Sequence, residues 1–147
     1  MPFTENASQA LGLAAAPRHA ATINNTTGDT GGIDMRKWER AIFFFSVGTN
    51  ASSGSVIFKL QESAADSTYT DITSAATAAI TTASKCGSLE IRADQLTDGQ
   101  RYVRCRCTES ASQAVTVSVL AIGVMARQKP GGKGATETAT VAERYVH

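Results

Sequence analysis

The sequence predicts an all-β protein, an antiparallel β-sandwich with an extended arm at each end. Three observations carry that expectation. Large apolar residues gather in short runs between residues 33 and 127, their spacing is two rather than three to four, and clusters of Gly, Ser, Asp and Asn separate the runs. A chain of 147 residues supports one domain with a real core.

Taken in order, residues 1–32 are small and polar and end in "NNTTGDTGG", a cluster of turn formers, so they read as an extended N-terminal arm. "ERAIFFFSVG" follows, apolar without interruption from Ala41 to Phe45, which suits a central strand covered on both sides. Trp38 just before it, among the charges of "DMRKWER", reads as a partly buried residue at a strand start. In "SGSVIFKLQES" the alternation of Val56, Phe58 and Leu60 with Ile57, Lys59 and Gln61 marks a half-buried strand. "STYTDIT" is short enough for an edge strand, and the stretch from Ala75 to Ala83 could form a helical turn, though its threonines weigh against one. "SLEIRA" puts Leu89 and Ile91 on one face. "QAVTVSVLAIGVM" does the same for Val115, Val117, Val119 and Ala121, giving about seven strands in all. Residues 128–147 open with the hinge "QKPGGKG" and read as a C-terminal arm.

The stretch closest to chemistry is "RYVRCRC". At period two, Tyr102, Arg104 and Arg106 share one face, while Cys105 and Cys107 share the other with Val103. Cysteines two apart on a strand do not meet disulfide geometry. A zinc site would have to recruit Cys86, His19 and His147. Cys105 and Cys107 are therefore expected in the core, with no metal and no cofactor; a disulfide involving Cys86 is the alternative. The preceding "LTDGQRY" looks like the corner of immunoglobulin and fibronectin type III sandwiches, where such a Tyr bonds back to upstream backbone, making Tyr102 structural. A jelly roll is the other sandwich that fits.

Several functions are disfavoured. "GGKGATET" lacks the spacing of a phosphate loop, a Ser-His-Asp arrangement would depend on His19 or His147 in the arms, and Asp94 and Asp98 lie in a turn-rich loop. No enzyme is expected. A net charge of +1 argues against nucleic acid, and no run is long and apolar enough for a membrane. The start lacks a secretory pattern, so the protein is expected to stay in the compartment where it is made. Arg101, Arg104 and Arg106 read as an ordinary solvated face, with an outward stripe that meets acidic residues of a neighbour as the alternative.

The runs "GGIDMRKWERAIFFFSVGT", "GSVIFKLQESAADSTYTDI" and "SLEIRADQLTDGQRYVRCR" resemble small proteins encoded in the structural gene clusters of tailed phages and prophages. The resemblance spans residues 31 to about 106. It implies a virion component made in the cytoplasm of a bacterial host, a head protein first. Together with the arms it leads to the expectation of a capsid decoration or cement protein on the capsid surface. Its partners would be the major capsid protein and copies of itself, as a homo-oligomer, with a trimer among the options. Phe3, Leu11, Leu13 and Arg18 in one arm and Val141, Tyr145 and Val146 in the other are the expected partner anchors. A head-tail connector or tail component is the alternative within the virion. A carbohydrate-binding or adhesion module, using "DSTY" or "TNASSGS", is the alternative of another class, weakened by a count of only nine aromatic residues (five Phe, three Tyr, one Trp).

Overall fold

The computed structural model describes residues 18–50 and 53–126. Nine strands run through them: β1 (Arg18–Ile23), β2 (Thr27–Asp29), β3 (Ile33–Asp34), β4 (Trp38–Asn50), β5 (Val56–Ser63), β6 (Thr70–Ala76), β7 (Lys85–Arg92), β8 (Tyr102–Glu109) and β9 (Val115–Ala126), with one 3-10 turn at Ala93–Gln95. They form two antiparallel sheets, one of four strands in the order β1-β9-β4-β7. The other has five, in the order β2-β8-β5-β6 with β3 also on β8.

The two sheets face each other across a core built by period-two alternation. Phe43, Val117 and Ala121 from the four-stranded sheet meet Phe58, Leu60, Val103, Cys105 and Cys107 from the five-stranded one, all fully buried. Phe45 and Phe58 stack across the gap, ring centroids 4.3 Å apart at 16°. A Val, Leu or Phe side chain buried in this way contributes on the order of 1.5–3 kcal/mol by leaving water. Ile91 joins the core and Leu89 packs partly against it, as their shared face required. The "STYTDIT" strand is β6, on the sheet's edge, and past Ala76 the chain stays extended with a bridge from Ile80 to Val56 instead of turning helical.

Three expectations about this framework are corrected. The arm of residues 1–32 was set too long. β1 pairs with β9 from Ile23↔Val115 to Arg18↔Val119, and β2 pairs with β8. Edge strands need few large apolar residues, and Ile23, 2% exposed, anchors β1. β4 is central in its sheet, but the described residues cover it on one side only, since Phe44 points away from the core and is 44% exposed. Trp38 is not partly buried but 4% exposed. Its ring lies against Gly123, where an added Cβ would come within 2.4 Å of Cδ2, so a bare backbone on β9 is what admits the indole.

Candidate interaction surface

The outer faces of the two sheets differ in chemistry. On the five-stranded sheet, Tyr102, Arg104 and Arg106 point outward as their spacing required, each half-buried. The Arg106 guanidinium donates to both Asp29 carboxylate oxygens, at 2.7 and 2.8 Å, and Arg104 reaches the same carboxylate at 3.1 Å. Arg104 Nε also donates to Gln61 at 2.9 Å, Gln61 donates to Asp71 at 2.6 Å, and Lys59 donates to Asp71 at 2.6 Å. The Arg104 guanidinium lies over the Tyr69 ring, 4.0 Å from its centroid, while the Tyr69 hydroxyl donates to Asp66. Arg101 holds Asp34 through two bonds of 2.8 and 2.5 Å. The arginine stripe therefore pairs with acids of its own chain, so it is neither a simply solvated face nor one whose acids come from a neighbour. The "DSTY" loop is likewise spent on its own sheet.

These bonds set the titration of the face. The Arg101 guanidinium beside Asp34 holds its carboxyl below the usual range against the opposing effect of burial, and Lys59 and Gln61 do the same for Asp71. At the sheet's end Glu109 is 1% exposed. Burial pushes its carboxyl up, but backbone N–H groups of Asn25, Ala111, Gln113 and Ser55 outweigh it and leave it lowered. Asn25 N–H donates to it at 2.6 Å and Ala111 N–H at 2.7 Å. Glu109 thus gathers three loops at one end of the sandwich.

The outer face of the four-stranded sheet is apolar along its middle. Ile42 lies opposite Ile122, and Phe44 opposite Leu120, on neighbouring strands. Val124 continues the row. The ion pair of Arg40 with Glu90, at 2.7 Å, fences its β7 side, and Ser46, Ser88 and Ser118 flank its far end by register. Phe44 and Met125 are the exposed large apolar residues among those described, and Met125 adopts a φ of 57°. The sequence reading missed this stripe. Its signal was there: in "AIFFF" and "VLAI" both parities are apolar, whereas in "YVRCRC" one parity is charged. The rule that such runs are covered on both sides placed a second layer on this face, and none of the described residues forms one.

The other expected site residues resolve as follows. Cys105 and Cys107 are fully buried, and all three cysteines are free, so the alternative disulfide is not formed. Burial pushes the Cys105 thiol up to about 12. Cys107 Sγ donates to Gly28 O at 3.1 Å. No cluster able to hold a metal occurs among the described residues. Tyr102 does not make the corner bond: its ring faces outward under Arg101, 4.9 Å from the guanidinium carbon. The corner is closed instead by Glu62, 5% exposed, which accepts from Thr97 N–H at 3.0 Å, and by Ser63 O, which accepts from Arg101 N–H at 2.9 Å. Arg18 starts β1 opposite Val119. Phe3, Leu11, Leu13, Val141, Tyr145 and Val146 lie outside the described residues. An open groove of about 370 Å³ runs beside β7, lined by Phe45, Ile80, Lys85 and Cys86 among others. Its one aromatic ring is already stacked on Phe58.

No protein family and no curated protein matches the chain. Among solved structures, it is similar to a chain of infectious bursal disease virus, Gt strain, at 14% identity and a TM-score of 0.47, covering 75% of this chain and 30% of that one. It is also similar to a xylanase of Cellvibrio japonicus in complex with xylopentaose, at 13% identity and a TM-score of 0.42, covering 71% and 23%. A xylan-binding domain from Paenibacillus barcinonensis matches at 12% identity and a TM-score of 0.38, covering 74% and 90%. The chain thus spans less than a third of the first two, and the likeness is one of β-sandwich architecture. Among the described residues no helix is long and apolar enough to cross a membrane.

Proposed function

We propose that the protein is a non-enzymatic virion component, a decoration protein that docks between major capsid subunits through the outer face of its four-stranded sheet. The observation that carries this reading is the apolar row of Ile42, Phe44, Leu120 and Ile122, with Phe44 44% exposed, on a face over which the described residues place no second layer. Apolar side chains gathered on one sheet face gain by meeting a partner, whereas the opposite face has already spent its charges internally. The resemblance of residues 31–106 to phage head-associated proteins supplies the partner. The described residues begin in β1 and end in β9, neighbouring strands of this same sheet. A neck or tail position would use the same face against a different ring of subunits.

The test is addition of purified protein to particles that lack it, with bound and free protein separated by sedimentation. Phe44→Asp is expected to weaken attachment about 10- to 100-fold, the equivalent of about 1.5–3 kcal/mol of lost apolar contact, with an unchanged circular dichroism spectrum. Undiminished attachment of this variant would remove the four-stranded face from the reading.

A further inference from the structure

Glu109 stands where alternation calls for an apolar residue. On β8 it has the inward parity of Val103, Cys105 and Cys107, and it is 1% exposed. Val56 lies opposite it on β5, and on the facing sheet the pair Ile23 and Val115 closes the same end of the core, all of them buried. A carboxylate in such a place depends on the groups that donate to it. Its donors are backbone N–H groups, Asn25 at 2.6 Å and Ala111 at 2.7 Å, joined by those of Ser55 and Gln113.

These donors belong to three connections, each of which crosses from one sheet to the other. Residues 24–26 join β1 to β2, residues 53–55 lead from β4 into β5, and residues 110–114 join β8 to β9. Each connection also holds one side-chain-bearing residue in left-handed backbone: Asn25 at a φ of 45°, Ser53 at 77° and Ser112 at 55°. That region is unfavourable for a residue with a Cβ, so each connection carries strain that its bonds to the carboxylate offset. No charged side chain shares the task. Residues 24–26, 50–55 and 110–114 contain no Asp, Glu, Lys, Arg or His, and the strand ends at this place present Ile23, Val56 and Val115. Among the described residues the ion pairs all lie elsewhere. Oriented backbone dipoles hold the charge of Glu109.

We propose that Glu109 is a proton-operated latch, its carboxylate fastening three crossovers at one end of the sandwich, and that protonation releases them together while the rest of the core stays closed. A protonated carboxyl is a weaker acceptor and carries an O–H of its own, which here meets a cluster of N–H donors. The bonds that offset the strain are then lost, and the left-handed residues relax. Because the carboxyl is lowered in the folded protein, the latch holds above the ordinary carboxylate range and releases as the pH falls through the lowered value. The far end of the sandwich is fastened differently, by the Trp38 ring lying against Gly123, a contact without a titrating group. The latch is independent of the docking face proposed above, and its test uses no particles.

Amide exchange of the full-length chain is followed from about pH 6 to about pH 3, corrected for the intrinsic pH dependence, alongside the fluorescence of Trp38, the single tryptophan. The amides of residues 24–26, 53–55 and 110–114 are expected to lose protection by at least about tenfold at a pH where Trp38 still emits as in the neutral protein. Glu109→Gln, neutral at every pH, should show the released rate already at neutral pH, with no step where the wild type releases. Loss of loop protection and change of Trp38 emission at one and the same pH would make the event global unfolding and overturn the latch. Loops as well protected in Glu109→Gln as in the wild type at neutral pH would overturn it too. Should that variant fail to fold, the order of events at the loops and at Trp38 in the unmutated chain decides alone.

Discussion

The outer faces of the two sheets are built from strands of similar length and the same alternation, yet one is closed and the other open. On the five-stranded sheet, charged and amide side chains from β2, β5, β6 and β8 satisfy one another, with Asp29 shared by Arg104 and Arg106. On the four-stranded sheet, isoleucine, leucine and phenylalanine stand side by side across β4 and β9. A sandwich needs only its inner faces to fold. The outer faces are free to carry different duties, and on the proposed function the charged face serves stability and the apolar one serves contact with a partner.

Removal of the shared acid breaks that comparison hardest. Asp29→Ala should leave two half-buried guanidinium groups without their carboxylate and lower stability by about 1.5–3 kcal/mol, the range for hydrogen bonds to charged groups. Chemical denaturation measures it. Attachment of the folded fraction to particles should be unchanged. A variant that unfolds at the wild-type midpoint, or that attaches poorly while fully folded, would dissolve the division of duties.

Acid separates the same two faces more gently. Asp34, Asp71 and Glu109 have carboxyls lowered in the folded protein, so their contribution is present above the ordinary carboxylate range, roughly pH 4 to 4.5, and is lost as the pH falls through the lowered folded values. Stability should therefore decline below about pH 4, and Glu109→Gln should flatten the decline while costing stability at neutral pH. Attachment through Phe44 and its neighbours should be nearly indifferent to salt, since no charge is exchanged there. Strong weakening of attachment at raised ionic strength would point to the charged face as the docking side.

Much of this arrangement is legible in the sequence, and the rest hides for physical reasons. "RYVRCRC" discloses its faces because each parity has one chemistry. "AIFFF" hides its faces because both parities are apolar, and hydrophobicity alone does not say whether the far side meets a second layer or a partner. β1 is hidden because His19, Ala20, Ala21 and Thr22 carry almost no apolar signal, and its place comes from pairing with β9. The Tyr102 corner misleads because the motif fixes a turn but not which side chain closes it. Glu62, opposite Val103 on the neighbouring strand β5 and far from the corner in sequence, closes it.

The cysteines sharpen the comparison from inside and outside. Cys105→Val should cost under about 1.5 kcal/mol as a near volume-conserving core change. With its thiol pushed up to about 12 by burial, Cys105 should resist alkylation at neutral pH until the protein unfolds, while the exposed Cys86 reacts at once. Mass spectrometry of the alkylated chain checks both. Rapid modification of Cys105 in folded protein would mean that the core opens between the sheets.

The smallest effect is expected at Tyr102, and its smallness is informative. The ring contributes a cation–π contact with Arg101 at 4.9 Å, which a phenyl ring retains, and exposed contacts of this kind are worth about 0.5–1 kcal/mol. Tyr102→Phe removes only a hydroxyl from an outward face, so its unfolding midpoint should lie within the equivalent of about 0.5 kcal/mol of the wild type. Glu62→Gln, by contrast, weakens the acceptor that binds Thr97 N–H and should lower the midpoint more than Tyr102→Phe does. If Tyr102→Phe proved the costlier of the two, the hydroxyl would be closing the corner after all, and the charged face would owe part of its order to a bond made through Tyr102 rather than to its ion pairs.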